Sequence, residues 1–162
     1  MAKVTSYGAA QTVTGSCHLF EVRSIKVLID CGMLQGEASG SNYEAFGFDP
    51  ASIDYVILTH SHTDHIGRLP KLVKEGFRGE IIATEATLEI ARIMLLDSAA
   101  LLVEEYETQL KKALRRGEEA LVKEPLYTKE HVELLFAQKI RSVSYNQRTC
   151  IVTGKQIGRA HV

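Results

Sequence analysis

The first third of the chain alternates short apolar, β-branched runs with small and polar residues, which is typical of strands joined by turns. Three such runs predict strands over residues 4–7, 17–22 and 25–29. Only Arg23 and Ser24 separate the last two runs, so they predict a tight hairpin. Residues 33–50 are rich in Gly, Ser and Asn, with too few apolar positions to predict regular structure.

From residue 54 onward the pattern changes to alternating helices and strands. The continuous apolar run DYVILT, residues 54–59, predicts a central strand that is covered on both faces. Strands are further predicted over 80–83, 140–145 and 149–153, and helices over 66–74, 85–116 and 128–138. A helix of about 30 residues would measure about 45 Å, which exceeds a small domain. We therefore expect a break or bend near Asp97 and Ser98. The order of elements predicts a mixed α/β layered domain.

Composition narrows the class of protein more than its function. The 162 residues, 45% of them hydrophobic, can form one domain with a core. Nineteen basic and twenty acidic residues leave a charge of −1, which gives no electrostatic argument for nucleic-acid binding, although a neutral total can hide a local patch. Three cysteines without a CxxC pair favour a reduced, cytoplasmic location. No signal peptide and no apolar run of membrane-spanning length is present, so we expect no membrane partner.

Four side chains with metal-binding chemistry follow the predicted central strand within six residues: His60, His62, Asp64 and His65. Imidazole and carboxylate groups suit Zn²⁺ or a similar divalent ion. In an extended or tightly turned segment His60 and His62 project to the same side and can bind one ion, while Asp64 and His65 can face a second. Two ions about 3.5–4 Å apart lower the pKa of a shared water toward 7 and clamp the oxygens of a phosphoryl displacement.

The sequence HSHTDH matches the HxHxDH motif of the metallo-β-lactamase superfamily, whose fold is an αββα sandwich. Other segments resemble one branch of it, the β-CASP group of RNA-processing nucleases: GAAQTVTGSCHLFEV, VLIDCGMLQG, ILTHSHTDHIGRLPKLVKEGFRGEIIATEAT, ARIMLLDSA and EPLYTKEHVE. The resemblance runs from about residue 3 to about residue 153. It implies an α/β fold that is the N-terminal, incomplete part of such a sandwich. It also implies a zinc-dependent ribonuclease of endonucleolytic type that cleaves the phosphodiesters of an RNA substrate through metal-bound hydroxide.

The resemblance also assigns roles to single residues. It implies two zinc ions, the first bound by His60 and His62 and the second by Asp64 and His65. Asp64 is then a catalytic-site ligand and not a general base. Asp30 matches the family's strand-end carboxylate, which supports the site by accepting a hydrogen bond and orienting a ligand. The alternative is that Asp30 is an ordinary turn residue.

For the other candidate residues, the sequence favours structural roles over functional ones. For His18, in the turn-like segment GSCH, we expect a packed or supporting position and not direct ligation; His131, taken singly, is also more typical of a structural histidine. The charged stretch 104–123 includes four basic residues that could contact RNA: Lys111, Lys112, Arg115 and Arg116. Acidic residues are interleaved with them, so a solvated helical face is the better interpretation.

The family's later motifs are not in this chain. A third His in a segment resembling AGHILGSA, a bridging Asp, a final His and the β-CASP cap domain have no counterpart here. We therefore expect residues 1–153 to be the N-terminal portion of the hydrolase domain. Residues 154–162, including His161, are expected to be a non-native tail, because IGRAHV resembles a translated sequencing adapter. With incomplete metal coordination, this chain alone is expected to show little or no nuclease activity.

Two alternatives stay open at the level of the sequence. One is another metallo-β-lactamase-fold hydrolase that acts on thioesters, lactones or β-lactams, against which GRLP and DCGMLQG speak. The other is a non-catalytic relative that binds RNA, against which the four intact ligands speak. The sequence does not decide RNA against DNA, or endonucleolytic against exonucleolytic cleavage, and it also allows a homodimer.

Overall fold

A six-stranded mixed sheet forms the framework of the computed structural model, which describes residues 1–151. The strands lie in chain order across the sheet: β1 (Ala2–Gly8), β2 (Cys17–Val22), β3 (Ile25–Ile29), β4 (Tyr55–Ile57), β5 (Glu80–Ala83) and β6 (Lys139–Ser142). The first three pair antiparallel, and β3 to β6 pair parallel. The predicted hairpin and the predicted α/β class are therefore confirmed.

Four α-helices connect or follow these strands within the described residues: α1 (Thr63–Ile66), α2 (Leu69–Lys74), α3 (Glu85–Leu114) and α4 (Lys129–Phe136). Pro70 lies in the first turn of α2, where its missing N–H leaves no hydrogen bond unmade. The chain then turns at Gly76, whose φ of 112° strongly favours glycine. Thr128 and His131 form a capping box at the start of α4.

Of the predicted break or bend near Asp97 and Ser98, the break is wrong, because α3 is one continuous helix of 30 residues. Its first half packs on the core through a buried stripe with four-residue spacing: Thr87, Ala91, Leu95 and Ala99. The Tyr127 hydroxyl also donates a hydrogen bond to Ser98 Oγ over 2.9 Å. Beyond this stripe most side chains of α3 are exposed. The second half of α3 therefore contributes few side chains to the core, so the size of the core does not limit the length of the helix.

The four helices of residues 1–151 pack on one face of the sheet. Alternate strand residues, such as Leu19, Leu28 and Val56, point into a buried core shared with α2, α3 and α4. The opposite face carries further apolar side chains that are only partly buried. They line a groove of about 530 Å³: Phe20, Val22, Ile25, Val27, Ile29, Ile57 and Ile151, with Arg23 at its edge.

Some predicted boundaries differ from the structure. Residues 33–50 contain a 3₁₀ helix over Gly36–Tyr43, where only irregular structure was predicted. The buried Asn42 explains how this polar segment is ordered, since its side chain bonds both the N–H and the C=O of Leu34 at 2.8 Å. Residues 149–151 form no strand, and the rest of that predicted strand, like the predicted tail, lies outside the described residues. Within residues 1–151, no helix has both the length and the apolar character of a membrane span.

Candidate metal centre

The motif lies at the carboxyl edge of the parallel part of the sheet. Ile29 of β3 pairs with Ile57 of β4, so the residues that follow these two strands meet. Asp30, directly after β3, donates its N–H to the C=O of Ile57 over 2.9 Å. His60 follows β4 by three positions. A carboxylate and a histidine cluster that are 30 residues apart in sequence are thereby neighbours in space.

The backbone of the motif is held by two other segments. The carbonyl of Asp64 accepts from Ser16 N–H, and that of His65 accepts from Cys31 N–H, both over 2.8 Å. Gly32 must be a glycine, because a Cβ there would lie 1.6 Å from the Asp64 carbonyl oxygen. The buried Arg68 donates from Nε to the carbonyl of Gly32. These contacts give the GRLP and DCG segments a shared task, which is to fix the position of the motif.

Asp30 is the most deeply buried acidic side chain of the site, with 2% of its surface exposed. Its Oδ2 lies 2.8 Å from His65 Nδ1 and accepts from Ser16 Oγ over 3.1 Å. Its Oδ1 accepts from Thr59 N–H over 2.9 Å. The backbone of Asp30 is left-handed, with φ of 59°, a conformation that aspartate and asparagine adopt more readily than most residues other than glycine. Hydrogen-bond partners on both oxygens fit the supporting role predicted for Asp30, which stays a prediction.

The histidine rings are packed against each other at the surface above Asp30. His60 Nε2 and His62 Nδ1 lie 3.0 Å apart. The ring centroids of His60 and His65 are 3.9 Å apart. His65 Nε2, the nitrogen that Asp30 leaves free, lies 3.7 Å from Asp64 Oδ2. The four predicted ligands therefore come together as two pairs.

Electrostatics favours neutral imidazole at His60. Partial burial lowers its pKa, and the neighbouring His65 and His62 lower it further, while Asp30 and Asp64 act in the opposite direction. A neutral ring keeps one nitrogen lone pair, and that lone pair is what a metal ion binds.

The donor set fits a divalent ion only in part. Two nitrogens that bind one tetrahedral zinc at 2.0–2.1 Å stand about 3.4 Å apart. The His60–His62 and Asp64–His65 atom pairs, at 3.0 and 3.7 Å, lie on either side of this value. In the described part of the chain, however, no group of three or more His, Cys, Asp or Glu side chains is arranged around one ion. The ligand assignment stays a prediction. In it, these residues supply two ligands for each ion.

Sequence reasoning missed two hydroxyl residues of the site. Ser16 belongs to the GSCH segment, but its bond to Asp30 was not predicted. Thr59 touches both oxygens of Asp30, at 3.0 and 2.8 Å, and lies 3.1 Å from His60 Nδ1. The available signal was position, because Thr59 is the polar residue between an apolar strand and the motif.

The secondary candidates lie away from this cluster. His18 Nδ1 is 3.0 Å from Ser6 Oγ on the neighbouring strand, so the His18 side chain contacts β1. His131 caps α4. The four basic residues of the charged stretch are exposed at the far end of α3 and beyond it, as expected for a solvated helical face: Lys111, Lys112, Arg115 and Arg116.

Comparison with known proteins gives one family and a consistent set of relatives. The family model of the metallo-beta-lactamase superfamily matches residues 11–135. Ribonuclease TTHA0252 of Thermus thermophilus is 47% identical over 104 residues, covering 64% of this chain and 24% of the relative. Transcription termination factor FttA of Cenarchaeum symbiosum is 37% identical over 99 residues, covering 59% of this chain and 15% of the relative. Cleavage and polyadenylation specificity factor subunit 3-I of Arabidopsis thaliana is 36% identical over 96 residues, covering 58% of this chain and 14% of the relative.

One solved structure to which the chain is similar is the metallo-beta-lactamase fold protein YhfI of Bacillus subtilis. It is 29% identical, with a TM-score of 0.39, and the match covers 54% of this chain and 40% of that one. The chain spans less than a quarter of the length of each of the three curated relatives.

Proposed function

The chain belongs to the metallo-beta-lactamase superfamily, and on this premise we propose that it carries part of the metal centre of a zinc-dependent, RNA-processing ribonuclease. The resemblance to RNA-processing nucleases of the β-CASP group, predicted from the segments around HSHTDH, is confirmed by the curated relatives. Their names support RNA as the substrate class. Because the chain covers so little of their length, the proposed cleavage of phosphodiesters is an activity of the longer protein.

The observation that carries the proposal is the pairing of ring nitrogens at the carboxyl edge of the sheet. His60 Nε2 and His62 Nδ1 face each other at 3.0 Å, and His65 is held beside them by a buried carboxylate. Neutral imidazoles that converge in this way are common in sites for divalent metals. A structural role alone would not require three histidines to crowd one exposed turn.

The superfamily implies a divalent metal, and we propose two zinc ions. His60 and His62 would hold one ion, and Asp64 and His65 would hold the other. Bound divalent ions supply water activation at neutral pH and electrostatic stabilisation of a phosphodiester in reaction. Asp64 acts as a ligand. Asp30 keeps the Nδ1 proton on His65 and so leaves Nε2 free to bind.

The first test is metal binding by the chain itself. Purified protein is titrated with Co²⁺ or Zn²⁺ against a chromophoric chelator, and bound metal is counted by elemental analysis. We expect His62→Ala to weaken binding strongly, whereas His18→Ala, a histidine bonded to Ser6 elsewhere, leaves it unchanged. Equal binding by wild type and His62→Ala contradicts the proposed site.

The second test separates substrate classes. The longer protein that contains this segment is assayed with structured RNA, single-stranded DNA, a thioester, a lactone and a β-lactam. RNA cleavage that His62→Ala abolishes supports the proposal. Hydrolysis of a thioester or lactone with RNA left intact favours the other hydrolase class. Metal-independent RNA retention without cleavage favours a binding protein.

Two further expectations belong to the same proposal. A cytoplasmic location is checked by cell fractionation. A homodimer is checked by light scattering of the purified chain, and the partly exposed apolar groove on the open face of the sheet is the surface to vary if a dimer forms.

A further inference from the structure

We infer that Thr59 is a positioning residue. Its hydroxyl links the carboxylate of Asp30 to His60 through two hydrogen bonds and so selects the tautomer of the His60 ring. The hydroxyl lies between the two groups, at 2.8 Å from Asp30 Oδ2 and 3.1 Å from His60 Nδ1. The tautomer itself is a property of the metal-free chain. Its consequence for metal binding rests on the proposed function.

The first step is the hydrogen-bond count at Asp30. A carboxylate only accepts hydrogen bonds and has about four lone-pair positions. Four donors surround this one: the N–H and the hydroxyl of Thr59, the hydroxyl of Ser16 and the Nδ1–H of His65. The acceptor positions of Asp30 are thus filled, and each neighbour must point its hydrogen toward the carboxylate.

The second step is the direction of the bond at His60. A threonine hydroxyl has one hydrogen and two lone pairs. Since the carboxylate of Asp30 takes that hydrogen, the oxygen of Thr59 can only accept from His60 Nδ1. His60 therefore carries its proton on Nδ1, and its lone pair is on Nε2. That is the nitrogen that faces His62 Nδ1.

The third step is a contrast within the same site. His65 donates directly to Asp30 over 2.8 Å, and its distance to the Thr59 hydroxyl is longer, at 3.3 Å. Its tautomer is fixed whether or not the hydroxyl is present. Loss of the Thr59 hydroxyl should therefore act on one histidine and spare the other, which a general structural defect would not do.

The test is the tautomer of each ring in the metal-free chain. Long-range ¹H–¹⁵N correlation spectra of the imidazoles are recorded above pH 7.5 for wild type, Thr59→Ser and Thr59→Val. We expect His60 as the Nδ1–H tautomer in wild type and Thr59→Ser. In Thr59→Val it should become mixed or Nε2–H, with His65 unchanged. Thr108→Val, the same substitution at an exposed position of α3, is the control and should match wild type.

A second readout is metal affinity. Loss of a group that orients a ligand typically weakens binding about 10–100-fold, so we expect Co²⁺ to bind Thr59→Val more weakly in this range. Thr59→Ser should stay near wild type, because it keeps the hydroxyl.

Three results overturn the inference: Nε2–H at His60 in the wild-type chain, an unchanged His60 tautomer in Thr59→Val, or Thr59→Ser behaving like Thr59→Val. The wild-type spectrum decides even if Thr59→Val fails to fold. If the tautomers follow the expectation but wild type binds no metal, the proposed function fails and the inference stands.

Discussion

Two buried carboxylates at opposite ends of the parallel strands have different hydrogen-bond partners. Asp30, at the carboxyl end of β3, is 2% exposed, and Glu80, at the amino end of β5, is 6% exposed. Glu80 is held by permanent cations, with Arg141 contacting both of its oxygens at 3.0 and 2.6 Å. Lys139 lies 3.6 Å away. Asp30 has no such partner among the described residues and is surrounded by hydroxyls, an amide and a histidine.

On the proposed function, this difference distinguishes a carboxylate that joins two strands from one that supports the metal site. The guanidinium group of Arg141 neutralises Glu80 and joins β5 to the neighbouring strand β6. The donors around Asp30 satisfy its hydrogen bonds without neutralising it. Its negative charge stays available to orient His65 and to favour cations bound nearby. Asp30 also has a left-handed backbone conformation, with φ of 59°, next to the site.

The largest effect is expected from Asp30→Ala. It leaves four donors without their acceptor and places alanine in a left-handed conformation, so the free energy of unfolding should fall by about 3–5 kcal/mol. Metal binding should be lost with it. Asp30→Asn, which tolerates the backbone and keeps one acceptor, should cost less. Urea unfolding and chelator competition measure both effects, and a loss below about 1 kcal/mol would contradict the hydrogen-bond count.

A smaller, purely structural effect is expected at the other edge. Glu80→Gln weakens the contact with Arg141, which is partly open to solvent, and should lower the free energy of unfolding by about 1–2 kcal/mol. Metal affinity should not change. Lys139→Gln, whose side chain is 74% exposed, should have almost no effect on stability. If Glu80→Gln changes metal affinity as much as Asp30→Asn does, the two carboxylates are not functionally distinct.

The smallest effect concerns a histidine with the opposite hydrogen-bond role to His65. His131 Nδ1 accepts from Thr128 N–H over 3.2 Å, so the cap of α4 requires this nitrogen to be unprotonated. Burial, followed by the charge of Lys74, lowers the pKa of His131. A pKa lowered by folding means that this contribution to stability is present above about pH 6.5, the unfolded value, and is lost as the pH falls through the folded pKa.

The matched variant is His131→Ala. At pH 8 it should lower the free energy of unfolding by about 0.5–1 kcal/mol, the usual cost of a lost cap. The difference from wild type should shrink as the pH falls below about 6.5. Denaturant unfolding of both proteins between pH 5 and 8 measures it. A difference that grows toward acidic pH would show that His131 is stabilised in its charged form instead.

The sequence predicted the elements whose signal is local. The hairpin β2–β3 and strand β5 have the predicted bounds, because apolar runs and turn residues act over a few positions. The break in α3 was predicted from length alone. Whether a helix bends or extends past the core depends on what packs against its second half, and no local pattern carries that information.

The candidate site shows the same division. The family and the four candidate ligands from His60 to His65 were predictable without a fold, since these residues are nearly contiguous and their side chains have metal-binding chemistry. The residues that orient these ligands could be identified only after the strands were placed in space. Ser16, Asp30 and Thr59 meet because β3 and β4 are parallel neighbours and the GSCH segment bonds the motif's backbone. Hydrogen bonds act over about 3 Å in space, and the chain's order does not record which distant residues come that close.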